Sequence, residues 1–264
     1  MKGFENFGET CYFNAALQCL LHIPVLTNYF IRYPYDGDCK FTREYSKLVR
    51  MYWKKGEHKV DVDPIISHFR EKFPRFVETQ QHDTQEAIMC IIDILERAAP
   101  IIKVWFYGKK TQETIWPGGK SSSEEDFSIH LITSQGKDMG KMLAKSTDWN
   151  VLENFEDTEG KVHHVATTRM VFSKLPQVFM ISFDSKSHIE IIEKILIDTF
   201  EYNLISTAVH MGNQDDGHYA SFVKRKNKWY FINDESVREH ALPDEAGYYF
   251  MVYNLKTPSS ECSP

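Results

Sequence analysis

Two periodicities divide the chain. Over residues 10 to about 100, apolar positions recur every three or four residues, the spacing of helices with one buried face. Residues 12 to 22 contain no Gly or Pro and place Phe13, Leu17, Leu20 and Leu21 on one stripe, with Thr10 as the expected N-cap and Pro24 as the stop. The segment Tyr33-Pro34-Tyr35-Asp36-Gly37-Asp38 carries strong turn signals. Residues 41 to 55 predict a second helix, with Tyr45, Leu48, Val49 and Tyr52 on one face. Asp63-Pro64 opens a third, ending near Lys72, with Pro at the first helical position. A fourth runs from about Asp83 to Ala98 on the stripe Ala87, Ile91, Ile94 and Leu95. These stripes read as core.

From about residue 101 the period drops to two. Phe127 to Ile132 alternates as a half-buried strand does. Further strands are expected at Val178 to Phe183, Tyr219 to Lys224, Lys228 to Asn233 and Tyr248 to Tyr253, with one helix near Met139 to Asp148. Lys120 to Asp126 and Glu153 to Gly160 are acidic or small-residue runs, expected as loops or hairpin ends. Residues 256 to 264 are polar and rich in Pro and Ser, and a disordered tail is expected there. There is no internal repeat.

Composition narrows the function classes. The 264 residues are 42% hydrophobic and 26% charged, ordinary for a globular chain able to bury a large core. No run approaches ~20 apolar residues, which excludes a helical membrane span, and the N-terminus lacks an apolar signal core. A net charge of −6 argues against nucleic acid as the main partner. The five cysteines, Cys11, Cys19, Cys39, Cys90 and Cys262, form no disulfide framework, so a reducing, intracellular compartment, cytoplasmic or nuclear, is expected.

One thiol stands at the start of a helix. In Asn6-Phe7-Gly8-Glu9-Thr10-Cys11-Tyr12-Phe13-Asn14, Cys11 falls in the first turn, where the helix dipole and free N–H groups favour thiolate. Asn6 can reach back over the same turn to donate to an oxyanion. Cys19, deeper in the helix, reads as apolar filler. A base is found roughly two hundred residues on, in Gly217-His218-Tyr219-Ala220-Ser221, followed by Trp229-Tyr230-Phe231-Ile232-Asn233-Asp234. With Lys224 to Asn227 as the turn, these segments form a hairpin that brings His218 and the Asn233-Asp234 pair to the same end, where a polar group can orient the imidazole. His210 is a weaker base candidate, read instead as a packing residue. It lies in Val209 to Gly217, expected as a mobile loop gating the cleft.

The cysteine and histidine segments resemble the two boxes of the ubiquitin-specific proteases, papain-like cysteine peptidases. Gln80-Gln81-His82-Asp83-Thr84-Gln85-Glu86 resembles the family's Gln-Gln-x-Asp-x-x-Glu segment. Leu175-Pro176-Gln177-Val178-Phe179-Met180-Ile181-Ser182-Phe183 resembles its Leu-Pro plus buried strand. The four occur in family order over residues 3 to about 253. The resemblance implies an α+β fold with a helical thumb lobe (about 10–100) and an antiparallel β palm and fingers (about 101–255), together one catalytic domain over 1–255. It implies a monomeric, cofactor-free thiol hydrolase cutting after the C-terminal glycine of ubiquitin. Its expected roles are Cys11 as nucleophile, His218 as base, Asn233 as orienter with Asp234 sharing that role, and Asn6 at the oxyanion. Asp83 and Glu86 would grip the arginines of the ubiquitin tail, with Gln81, Gly217 and Tyr219 beside them.

The chain departs from the pattern in the fingers, where many members carry two Cys-x-x-Cys pairs on zinc. Here no cysteines are so spaced. Gly and turn residues at Thr111 to Gly119 and Asp157 to His164 predict tight hairpin tips, and the adjacent His163 and His164 should face opposite sides of a strand. No metal site is expected. Three other readings stay open from the residues: a ubiquitin-like modifier ending in Gly-Gly as substrate, a non-catalytic ubiquitin-binding module, and a peptidase of unfolded chains. The cysteine segment begins almost at Met1, so the chain is either a minimal enzyme or part of a longer one.

Overall fold

A computed structural model describes residues 1–56, 60–76, 80–184, 188–212 and 217–256. Its centre is α1 (Cys11–Leu21), in which every residue is buried. The apolar stripe read from the sequence is therefore only part of the story. A helix covered on all sides lies between two layers, here α5 and the strand carrying His218. Its polar residues need partners, because an unpaired buried amide costs about 1–3 kcal/mol. Gln18 has them, donating to the Lys2 carbonyl at 2.9 Å and accepting from the Tyr52 hydroxyl at 2.8 Å.

Around α1 pack α2 (Pro24–Arg32), α3 (Lys40–Trp53), α4 (Asp63–Lys72), α5 (Thr84–Ala98) and the short α6 (Ile101–Phe106). Two of these correct the sequence reading. Pro24 does end α1's reach, but it also sits in the first turn of α2, where its missing N–H costs nothing. Residues 101–106 are helical although a switch to strands was expected at 101.

Then come β1 (Gly108–Trp116), β2 (Gly119–Phe127), β3 (Ile129–Ile132), α7 (Met139–Lys145), β4 (Asn150–Glu156), β5 (Val162–Lys174), β6 (Val178–Phe183) and β7 (Ile189–Glu190). The chain continues through β8 (Lys194–Ile197), β9 (Phe200–Gly212), β10 (Gly217–Arg225), β11 (Lys228–Asn233), β12 (Ser236–Glu239), β13 (Glu245–Ala246) and β14 (Tyr248–Leu255). The large sheet has the order β12-β11-β10-β9-β14-β6-β3, with β8 also on β9; β3 and β6 are its parallel pair. It is buried on both faces. Val178, Met180, Ala208, Tyr219, Phe250 and Val252 meet the helices, while Phe179, Ile181, Phe222 and Met251 join a second core with Met139 and Met142 of α7. That is why Val178 to Phe183 is apolar without alternation.

The second sheet, β2-β1-β5-β4, forms the finger-like extension. Lys120 to Asp126 and Glu153 to Gly160 were expected as loops or hairpin ends; Lys120 to Asp126 is instead paired strand in β2, and Glu153 to Glu156 ends β4, with the turn only at the residues after it. Both are edge strands largely exposed to solvent, so no buried face imposes alternation on their sequence. Val209 to Gly212, expected as loop, is the end of β9, with Gly212 opposite Gly217. The rest of that expected loop, 213–216, lies outside the described residues, as does the expected tail beyond Lys256 with Cys262. No helix among the described residues is long and apolar enough to cross a membrane.

Candidate active site

The site is built where the N-terminus of α1, the start of β10 and the end of β11 converge. The β10–β11 turn holds Lys226 and Asn227 at φ 48° and 62°, the conformation of a two-residue hairpin turn. At the hairpin's other end, His218 Nε2 lies 2.6 Å from Asn233 Oδ1. An amide oxygen only accepts, so Nε2 carries the proton and Nδ1 is left for Cys11. The Cys11 hydrogen bond raises the His218 pKa to about 9, against the pull of burial and with help from Asn233 and the Asp234 charge. Cys11 is 4% exposed. Cys19, by contrast, is fully enclosed and its thiol is pushed up to about 12 by burial.

Thr10 occupies the N-cap position of α1 but makes no side-chain cap. Its hydroxyl accepts from the Phe7 N–H at 3.0 Å and donates to Asn6 Oδ1 at 3.0 Å, and its own N–H reaches the same oxygen at 3.1 Å. The expected cap is thus spent on the loop before Cys11. Asn6 is fixed from both ends. Its oxygen takes Thr10, and its Nδ2 donates to Asp234 Oδ2 at 2.9 Å. A primary amide has two N–H donors, and the bond to Asp234 uses one of them.

Asp234 stands 3.8 Å from His218 Nε2. Its Oδ1 accepts from Asn14 Nδ2 at 2.8 Å, so both carboxylate oxygens hold amides. The turn at Asp234 has φ 49°, and its carbonyl accepts the Phe4 N–H at 2.9 Å. Gly3 makes this approach possible, since a Cβ there would lie 2.3–2.4 Å from the Glu235 and Asp234 carbonyls. Sequence reading missed Asn14 and Gly3. Asn14 had a signal, being a polar residue in an apolar helix three positions after Cys11 and so on its face.

The residues expected to grip a peptide tail are close by, and they bond to one another. Asp83 is the N-cap of α5, accepting from the Glu86 N–H at 3.1 Å through Oδ1. Its Oδ2 takes the hydroxyls of Tyr249 at 2.6 Å and Tyr219 at 3.4 Å. Gln81 Oε1 accepts from the Gly217 N–H at 3.1 Å. Glu86 pairs with Arg75 at 2.8 Å on a half-exposed surface. His210 is not part of this set; it is buried, packed on the Tyr219 ring at 4.9 Å.

A family model described as ubiquitin carboxyl-terminal hydrolase matches residues 2–253. The chain belongs to this family. Curated relatives include the putative ubiquitin carboxyl-terminal hydrolase 11 and ubiquitin carboxyl-terminal hydrolase 9 of Arabidopsis thaliana, each 30% identical over 102 residues. Those matches cover 35% of this chain and 11% of each relative, so the matched stretch spans about a tenth of their length. Among solved structures, the SAGA Ubp8/Sgf11/Sus1/Sgf73 DUB module bound to ubiquitin aldehyde matches with a TM-score of 0.86 at 17% identity, over 97% of this chain and 70% of that one. The same module with monoubiquitin and a cysteine-to-alanine Ubp8 gives 0.86 at 18% identity, over 97% and 69%. At such identities the likeness establishes the fold: α+β, with a helical lobe against β palm and fingers.

In the finger tips, Pro117-Gly118 turns β1 into β2, and Asp157 closes the β4–β5 turn by accepting the Glu159 and Lys161 N–H groups at 2.9 and 3.0 Å. Its other oxygen lies 2.6 Å from His163 Nε2, while His164 on the next position is exposed. The Trp116 ring covers this pair, 5.8 Å from His163 and 5.3 Å from Phe155. Among the described residues, no three His, Cys, Asp or Glu side chains gather closely enough to hold a metal ion.

Proposed function

We propose that the chain is a thiol-dependent deubiquitinase that hydrolyses the (iso)peptide bond after the C-terminal glycine of ubiquitin. The observation that carries the reading is the Cys11–His218–Asn233 chain, with the base raised to about 9 by its thiol partner inside a family fold. A proton on His218 with a thiolate on Cys11 is the reactive state. The thiolate attacks the glycine carbonyl carbon. The second Asn6 N–H and the N–H at the start of α1 receive the oxyanion, a donor of this kind being worth roughly 3–4 kcal/mol. The C–N bond then breaks as His218 gives its proton to the leaving lysine amine, and water, deprotonated by His218, hydrolyses the thioester.

Substrate contacts refine the expectation. Asp83 is committed to its helix cap and two tyrosines, so Glu86 is the carboxylate free to exchange its exposed partner, Arg75, for an arginine of the tail. The nucleophile must stay reduced, and Cys11, Cys19, Cys39 and Cys90 are all free thiols, which supports a reducing intracellular compartment.

Ubiquitin bearing a C-terminal electrophile, offered beside the same probe made from other modifiers ending in Gly-Gly, tests the reading. The expected result is one adduct, mapped to Cys11, with the ubiquitin probe. An adduct at Cys19, or none, overturns the mechanism; preferential reaction with another modifier reassigns the substrate.

A further inference from the structure

The strand carrying the base outruns its neighbour. In the β10–β11 hairpin, Arg225 pairs with Lys228 across the turn, and Val223 with Tyr230 and Ser221 with Ile232 follow. Closing a two-residue turn makes Arg225–Lys228 a hydrogen-bonded pair, so odd-numbered residues of β10 aim their main-chain groups at β11. That ladder ends at Ser221–Ile232, and β11 itself ends at Asn233. Gly217, next to His218, therefore turns its N–H to a position beyond the end of that ladder.

The segment leading into α5 fills it. Gln81 Oε1 takes the Gly217 N–H at 3.1 Å. Two residues on, Asp83 receives the Tyr219 hydroxyl at 3.4 Å and is itself fixed by the Tyr249 hydroxyl at 2.6 Å and by capping the Glu86 N–H at 3.1 Å. The next residue, Thr84, is fully buried and donates its hydroxyl to the Tyr12 carbonyl at 3.2 Å, on the residue after the nucleophile. One four-residue stretch thus touches both neighbours of His218 and the neighbour of Cys11.

We infer that residues 81–84 are a clamp setting the Cys11–His218 distance, with Gln81 a positioning residue that acts on the base through the Gly217 N–H. This deepens the proposed function and rests on it for the identity of base and nucleophile. It also changes the role of Gln81 from gripping substrate to accepting one main-chain hydrogen bond. A misplacement of about 1 Å between reacting groups costs on the order of 100-fold.

The test compares Gln81→Ala, which removes the acceptor, with Gln81→Glu, which keeps one. Steady-state hydrolysis of a ubiquitin–fluorophore conjugate should show kcat roughly 10- to 100-fold lower in Gln81→Ala with KM little changed, and near wild type in Gln81→Glu. A raised KM at unchanged kcat in Gln81→Ala overturns the clamp and makes Gln81 a substrate contact. An NMR titration of the His218 imidazole, without substrate, reads the same point independently of turnover. The wild-type ring should titrate near 9, Gln81→Glu should match it, and Gln81→Ala should fall toward the ordinary histidine value of about 6.5 as the thiol contact loosens. Equal titration in wild type and Gln81→Ala overturns the inference whether or not the protein cleaves ubiquitin. Absence of wild-type turnover would count against the proposed function alone.

Discussion

The cleft and the finger tip each hold a histidine beside an acidic residue, and the two pairs are built for different ends. At the tip, His163 Nε2 meets Asp157 directly at 2.6 Å, both side chains are 8% exposed, and the second carboxylate oxygen is tied to two backbone N–H groups. At the cleft, a neutral amide occupies Nε2 at 2.6 Å, the carboxylate is held off at 3.8 Å by two other amides, and the ring is 35% exposed. A carboxylate placed on the ring makes a tie. One set back, with a thiol on the other nitrogen, leaves a ring that can pick up and release a proton during turnover.

The strongest way to break this contrast is to remove the thiol. Cys11→Ala should abolish hydrolysis of a ubiquitin–fluorophore conjugate while circular dichroism stays native, since alanine suits a first helical turn. Residual turnover near wild type would sink the mechanism. Cys19→Ala should leave turnover largely intact and cost stability only, about 1 kcal/mol for a buried truncation.

Next in size is the choice of orienter. Asn233 touches the ring and Asp234 does not, so Asn233→Ala should lower kcat on the order of 10²- to 10⁴-fold, the range of a general base. Asp234→Ala should cost less through the base, and it should act by releasing Asn6 and Asn14. Side-by-side kinetics giving the larger loss at Asp234 would show that holding Asn6 matters more than holding His218.

Much of this site was legible because its chemistry is local in sequence. A cysteine at a helix start and a histidine and asparagine on one hairpin need only short-range rules; Cys11 opens α1, and His218 Nε2 lies 2.6 Å from Asn233 Oδ1. What was not legible came from distant partners. Thr10 looks like a cap, and only the fold shows that Asn6 claims its hydroxyl. Tyr249, from a strand across the sheet, has no signal tying it to Asp83. The edge strands β2 and β4 carry no strand signal in the sequence, because solvent on their surfaces erases the period that marks a strand. The full burial of α1 was likewise hidden, since Asn14 and Gln18 look like a polar face until their partners are known.

A smaller effect separates the two pairs by pH. His218 has a folded pKa raised to about 9, so its contribution to stability is complete below its ordinary value near 6.5 and is lost as pH rises through about 9. Asp157 is held below its ordinary value of 3.8, chiefly by the His163 hydrogen bond. Its contribution is complete above 3.8 and is lost as pH falls through the lowered value. Melting temperatures should therefore differ between wild type and Asp157→Asn at about pH 7, with the gap narrowing as pH falls below 3.8 and through the lowered value, whereas the gap between wild type and Cys11→Ala should close only above about pH 9. A gap for Asp157→Asn that persists unchanged in acid would mean the tip pair contributes by packing and not by charge.

The smallest expected effect is none at all, and it asks what holds the tip together. Relatives that tie their fingers with four thiolates lose that tie when the metal leaves. Here the tip is closed by Trp116 over Phe155 and His163, by the Asp157 turn, and by Phe127 on Phe172 at 5.3 Å near the finger base. Ring pairs of this kind add about 0.5–1.5 kcal/mol each beyond the area they bury. A strong chelator should therefore leave both melting temperature and conjugate hydrolysis unchanged, while Trp116→Ala lowers the melting temperature. Stoichiometric zinc by elemental analysis, with a chelator-induced fall in melting temperature, would move His163 and Asp157 from a tie between side chains to ligands of an ion. The contrast with the cleft would then be one of metal against proton chemistry.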